Sequence, residues 1–342
     1  MLKMLFCETD MSGFREKEAD ILSNFQLTGL MRNLPNILGL KSWEEYKNMD
    51  FSNYDLIWIH MNPRVMYPAW YDYPKLIRDQ APNTVIVASH EYDPVFFQQD
   101  YGFIDETTLR GEISYVLKRA FSYLDYWVSD SKFAWEILSK MLDIPVLYAH
   151  ISQPQLEERG WLDPLPWNER EGIVTISHSI ILPLNRKFHV MKDTQLPSTI
   201  ITTNKVDKPA SLLRDDALSV LGNSSVKCYD TLPWLEYLDV IRHARVAFDM
   251  DYTGICRFSY ECAKLGVPVV GSSLMEYRTM LYPELTVSKY EDYISTIKRI
   301  YSDEAETQRL NRYSNMIIRE YWSTEAVEQR TKRLLEKMGV SF

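Results

Sequence analysis

The sequence predicts an α/β protein built from two Rossmann-like, doubly wound parallel-sheet domains, and three observations predict it. Short apolar, β-branched runs that end in polar clusters alternate with stretches of helical periodicity, the pattern of strands covered on both faces. That alternation is interrupted once, by a segment rich in proline, glycine and tryptophan (QPQLEERGWLDPLPWNEREG), and then restarts. The chain has 342 residues, enough for two domains each with its own core.

Taken in order, LKMLFCE reads as a first strand, followed by a helical stretch from about Phe14 to Asn33. YDLIWIHMN (Tyr54 to Asn62) is a continuous apolar run suited to a central parallel strand. The segment Asn62 to Pro74 reads as a loop, DYPKLIRDQ as a helix, and NTVIVASHEYDP as the next strand. EISYVLKRAFSYL has helical spacing, and DYWVSDSKFAWEILSKM reads as a strand entering a helix with Asp130 and Ser131 at its N-cap. IPVLYAHIS closes this half. In the second half GIVTISHS, STIITTN and SVKCYDTL are strands, followed by a strand (VAFDM), a turn holding Gly254, a helix from Arg257 to Leu265 and a strand in VPVVGSS. YWSTEAVEQRTKRLLEKM is a final amphipathic helix with its cap at Ser323 and Thr324. The expected divisions are residues 1–155, a linker at 156–171, a second domain at 172–320 and the last helix at 321–342.

Composition narrows the function classes. Hydrophobic residues make up 46% and charged residues 25% of the chain, as in globular proteins. The formal net charge of −9 opposes broad contact with a nucleic-acid backbone, which needs a surplus of Lys and Arg on one face. Candidates for a local basic patch include Arg186, Lys187 and the tail QRTKRLLEKM, although a mixed-charge helical face is usually just solvated. The four cysteines, Cys7, Cys228, Cys256 and Cys262, lack metal-ligand spacing and lack a disulfide-framework density. The N-terminal apolar run is too short for a signal peptide and no stretch approaches a membrane span, so a cytoplasmic location is expected, with peripheral membrane contact and oligomeric state open.

Arg245 to Ser273 carries the strongest chemical signal. A buried strand runs into a polar turn and then into a helix whose free N–H groups point out of the sheet's carboxyl edge, where open α/β sheets bind ligands and where phosphate is favoured. Glu261 follows one turn into that helix, beside the expected phosphate and able to accept hydroxyl hydrogen bonds. Another reading of Glu261 is an early-helix acid that complements the helix dipole.

Glu261 followed by GVPVVGSS resembles the donor site of retaining, group 1 glycosyltransferases with the GT-B fold, in which a glutamate, seven residues and a second glutamate precede this motif. LDYWVSDSKFAWEIL is similar to the strand and helix that end the first domain of that family, and YWSTEAVEQRTKRLL to its closing helix. The resemblance implies two domains facing a central cleft, with a C-terminal helix crossing back to the first. It implies transfer of a sugar from a nucleotide-diphosphate sugar of UDP or GDP type to an acceptor sugar, lipid-linked glycan or other group. It implies no tightly bound cofactor, and no metal is demanded, since basic residues and amides can neutralise the diphosphate and no Asp-x-Asp turn compels one.

By the same resemblance Glu261 accepts hydrogen bonds from the nucleotide ribose, and Gly254, Ile255, Cys256 and Arg257 present backbone N–H groups to the diphosphate. Thr253 occupies the first glutamate's position, a departure for which Asp249 or Asp251 could supply the carboxylate. Arg186 and Lys187 would neutralise the diphosphate and the charge growing on the leaving nucleotide. They lie further from the strand than the family's basic pair, and His178 stands near the family's glycine-arginine. The alternative is a solvated basic pair on a loop. His90, ending a strand at the carboxyl edge, would sit near donor sugar and acceptor; the alternative is a histidine packed at a strand end. Tyr67, Trp70 and Tyr71 would form a stacking platform for the acceptor, or else pin a long loop. Rival functions are a sugar-nucleotide epimerase or hydrolase of the same fold, a nucleotide-sugar-binding protein without transfer, and glycosylation of DNA bases.

Overall fold

The computed structural model describes residues 4–8, 37–38, 49–61, 68–90, 121–129, 132–149, 160–177, 182–202, 226–250, 257–273 and 276–340. The chain divides into two compact units, Met1–Gln155 with Tyr321–Phe342, and Leu156–Glu320.

The first unit holds a parallel sheet of β1 (Met4–Glu8), β2 (Ile37–Leu38), β3 (Leu56–Met61), β4 (Val85–His90), β5 (Tyr126–Ser129) and β6 (Val146–Tyr148), in the order β2-β1-β3-β4-β5-β6. Its strands are mainly apolar because both faces are covered, with polar residues such as Glu8, His60, His90 and Ser129 toward their carboxyl ends. Register puts Ile57 beside Ile86 and Ala88 beside Trp127, and this face packs with Phe51, Ile77, Phe121 and Leu138. Ile77 comes from α1 (Pro68–Gln80), while Leu138 comes from α2 (Lys132–Met141). The other face, with Leu56, Trp58, Val87 and Val128, is covered by Val327, Leu334, Leu335, Met338 and Val340. The first three lie on the last helix, α9 (Thr324–Lys337), spaced as a stripe along one side. The crossing-back of the C-terminal helix is thus a hydrophobic event: its stripe buries Leu56, Trp58, Val87 and Val128 of the sheet. Ser323 caps this helix as expected, accepting a hydrogen bond from the Ala326 N–H at 3.2 Å.

One local expectation is corrected. The segment read as a loop up to Pro74 is helical from Pro68 onward. Proline is tolerated in a first helical turn, where its missing N–H would be unsatisfied anyway. Pro74 is buried within α1 beside the core position Ile77 three residues later, so packing outweighs the lost backbone bond. The helical stretch predicted at 14–33 and the N-cap at Asp130 and Ser131 fall outside the described residues.

The second unit repeats the architecture with β7 (Ile173–Ser177), α3 (Leu182–Thr194), β8 (Ser198–Thr202), β9 (Val226–Tyr229), α4 (Trp234–Arg242), β10 (Val246–Asp249), α5 (Arg257–Lys264) and β11 (Val269–Gly271). Further helices follow: α6 (Glu276–Leu281), α7 (Tyr290–Ser302) and α8 (Glu304–Trp322). The strands are parallel in the order β11-β10-β7-β8-β9. Connections after β7 run one way along the sheet as far as β9, and β10 then returns to the other side of β7. The boundary between β7 and β10 is therefore the topological switch point, outside whose carboxyl end such sheets bind ligands.

Helix α5 is fixed at its far end. Gly266 takes a φ of +69° and closes a Schellman turn, with Val267 N–H bonded to Cys262 O at 2.8 Å and Gly266 N–H to Ala263 O at 3.1 Å. The buried guanidinium of Arg170 donates to Gly266 O, to Leu265 O at 3.2 Å and to Leu165 O at 2.8 Å. A cation at the negative end of the helix, with its carbonyls satisfied, sets the axis along which Glu261 is presented.

Candidate functional site

The switch point is tied together by a buried ion pair. Val246 of β10 lies opposite Ile173 of β7, and continuing that register brings Asp249 beside Ile176. Lys187, on the second turn of α3, reaches back to both strand ends. Its Nζ donates to Ile176 O at 2.6 Å and stands 3.6 Å from Asp249 Oδ1. Lys187 is 1% exposed and Asp249 is fully buried, so both charges sit where water screens them little. Tyr293 Oη of α7 adds a hydrogen bond to Asp249 O at 3.2 Å, fixing the end of β10 from the helix behind it.

Glu261 forms the second cluster. Every residue of α5 from Phe258 to Ala263 is buried, and Glu261 is 1% exposed. A carboxylate there must be paired to stay ionised. Arg257, one turn earlier and half-buried, donates from Nε to Oε1 at 2.6 Å. Tyr237, from α4, donates its hydroxyl to Oε2 at 2.5 Å. Burial first, and then the Glu261 charge, push the Tyr237 hydroxyl well above its ordinary range, so it stays a donor. The neighbouring Cys262 thiol is likewise pushed up, by burial first and then by Glu261 and Asp249, which leaves it protonated and unreactive.

Aromatic rings back this cluster. Trp234 stacks on Tyr237 at 5.9 Å between centroids, and the Arg257 guanidinium lies 5.8 Å from the Trp234 ring centre. Trp234 Nε1 donates to Gly160 O at 2.9 Å, and Trp161 meets Trp234 edge-on at 5.5 Å. The segment ahead of β7 thereby anchors the start of α4, from which Tyr237 projects. Helix α5 is the first described element after β10 and leads into the parallel strand β11, so its N-terminus lies toward the carboxyl edge of the sheet. There its amides and the Arg257 charge favour an anion beside a hydroxyl-accepting carboxylate.

The residues expected from sequence are distributed as follows. Glu261 and Arg257 are brought into contact, and Lys187 meets Asp249. Arg186 and Lys187 lie on α3 rather than on a loop, with Arg186 exposed and Lys187 buried, so the adjacent pair faces two environments. His90 is the last residue of β4, paired with Met61 of β3 at the carboxyl edge of the first sheet. Trp70 and Tyr71 belong to the first turn of α1. Tyr67, His178, Thr253, Gly254, Ile255 and Cys256 lie outside the described residues. Two members of the site were not anticipated, Tyr237 and Trp234. Their signal was present in WLEYLDVI, where two aromatics three apart share one helix face.

No protein-family model and no curated protein sequence matches this chain. Solved structures do match. A UDP-forming α,α-trehalose-phosphate synthase from Burkholderia xenovorans superposes with a TM-score of 0.63 at 10% identity, covering 99% of this chain and 99% of that one. Alr3699/HepE from Anabaena in complex with UDP gives 0.63 at 10% identity, covering 98% and 100%. An α-glucosyltransferase in complex with UDP and a 13-mer DNA containing an HMU base gives 0.60 at 11% identity, covering 99% and 100%. This chain has the GT-B fold. In GT-B terms β7 to β11 form the second sheet, and both charged clusters described above belong to that half of the fold. Among the described residues, no group of three or more His, Cys, Asp or Glu is placed to hold a metal ion, and no helix is long and apolar enough to cross a membrane.

Proposed function

We propose that this protein is a glycosyltransferase that moves a sugar from a nucleotide-diphosphate sugar to an acceptor, with retention of anomeric configuration. The observation that carries the reading is the buried Glu261 carboxylate one turn into α5, held by Arg257 and Tyr237 beside a helix N-terminus at the switch point. The GT-B neighbours, several of them in complex with UDP, support a uridine diphosphate sugar as donor. Retention follows from the resemblance of Glu261 and GVPVVGSS to the retaining class.

In this mechanism residues 172–320 bind the donor, residues 1–155 bind the acceptor, and 156–171 link them. Glu261 accepts the ribose hydroxyls. Backbone N–H groups of Gly254, Ile255, Cys256 and Arg257 hold the diphosphate, with Thr253 and His178 at its margin. As the glycosidic bond breaks, negative charge grows on the departing diphosphate. Arg186, Arg257 and the α5 N-terminus stabilise it, with Lys187 held at the strand ends by Asp249 and Ile176 O. His90 stands on the acceptor side, and Tyr67, Trp70 and Tyr71 form the acceptor's stacking surface.

Transfer to a modified DNA base is the second reading, favoured by likeness to the α-glucosyltransferase bound to DNA. The net charge of −9 works against it.

The test is a thermal-shift panel of UDP, GDP, ADP and CMP sugars, followed by product analysis. A single diphosphate sugar is expected to raise the melting temperature, because a ligand bound only by the folded state stabilises it. Glu261→Gln should remove that shift. Absence of a shift with every sugar nucleotide overturns the reading. Release of free sugar with every acceptor offered would instead favour a hydrolase.

A further inference from the structure

We propose that Tyr237 is a positioning residue for ribose recognition: its hydroxyl pins the Glu261 carboxylate so that the remaining lone pairs are fixed for the hydroxyls of a nucleoside diphosphate. The inference rests on the donor-site reading above and adds to it a residue from a different helix.

A glutamate side chain has three rotatable bonds, and one hydrogen bond leaves its carboxylate plane free to turn. Here both oxygens are held. Arg257 takes Oε1 from within α5, four residues away, and Tyr237 takes Oε2 from α4, twenty-four residues away in sequence. The two contacts do different work. Arg257 supplies the compensating charge; Tyr237 supplies a neutral donor that sets orientation without cancelling the acceptor strength of the anion. An ionised carboxylate has about four acceptor positions, so two occupied positions leave about two with defined directions. Two fixed acceptors suit the two adjacent hydroxyls of a ribose.

The Tyr237 ring is itself held. It stacks against Trp234 at an interplanar angle of 28°, and Trp234 is anchored through its Nε1 to Gly160 O at 2.9 Å. A phenylalanine would keep this stacking and lose only the hydrogen bond, so geometry separates packing from orientation at this position.

The experiment is calorimetric titration of the full chain with UDP, with GDP, and with the 2′-deoxy and 3′-deoxy analogues of UDP. Wild type should prefer UDP over at least one analogue. Tyr237→Phe should narrow that preference about tenfold, as for a hydrogen bond to a charged group, with the affinity for the analogue itself changed less than about twofold. Tyr237→Leu, which removes the hydroxyl with a different packing, should narrow it equally. Glu261→Gln should abolish the preference, and adding Tyr237→Phe to it should change nothing further, because the two act as one unit. Tyr237→Phe weakening UDP and both analogues by the same factor would mark a merely structural role and overturn the inference. So would a fully retained preference, or a wild type indifferent to the ribose hydroxyls. A wild type that binds neither UDP nor GDP fails the donor-site reading itself, and is distinguished from those outcomes by the absence of any titration heat.

Discussion

At the scale of single residues, the second unit invests in buried charge. Lys187 and Asp249 share a site with almost no exposure, and one Lys187 proton is already given to Ile176 O. Taking two charges out of water is costly, and the attraction between them offsets that cost only while both are present. We expect Lys187→Met to destabilise the protein by about 3–5 kcal/mol, because it leaves the Asp249 charge buried without its lysine. Combining it with Asp249→Leu should recover much of that loss. Urea unfolding of the two variants decides; a loss near zero in the single variant would mean that the pair is well solvated. Glu261 was legible as a candidate because an acid one turn into a helix after a buried strand has few bland explanations when its neighbours are apolar. Tyr237 was not legible as its partner. Nothing in the sequence measures the distance between α4 and α5, and a tyrosine on an amphipathic helix is usually core.

At the scale of elements, caps and ends were readable where chemistry is local. Ser323 announces α9 because a hydroxyl before a charged, amphipathic run can satisfy an otherwise unpaired N–H. Ser323→Ala should cost about 1 kcal/mol, read as a lower melting temperature, and Ser323→Asp should restore most of it. Elements whose stability comes from packing were harder. The prolines at 68 and 74 argue for a loop in isolation, yet the chain there is helix α1, because Pro74 and Ile77 are buried. The basic pair after β7 likewise reads as diphosphate-binding cations or as a solvated pair on a loop, whereas helix geometry points Arg186 outward and Lys187 into the strand ends.

At the scale of the whole molecule, the first unit depends on the end of the chain. Val327, Leu334 and Leu335 of α9 cover the sheet face carrying Leu56, Trp58, Val87 and Val128. Leu334→Ala removes buried methyl groups from that contact and should cost about 2–5 kcal/mol. Followed by hydrogen exchange, the loss should appear in β3, β4 and β5 while the amides of β7 and β10 keep their protection. Equal loss in both sheets would show that the units unfold as one.

A pair of doubly wound parallel sheets is written in the order of residues alone, since strands buried on both faces must be apolar runs and their crossovers helices. That order also marks the segment around Glu261 as the candidate donor site, since turn, helix start and carboxylate are neighbours along the chain. The partners of those charges emerge from the folded packing alone. Lys187 with Asp249 and Tyr237 with Glu261 are joined across separate elements, and such contacts are fixed by how helices pack on a sheet, which no local spacing encodes.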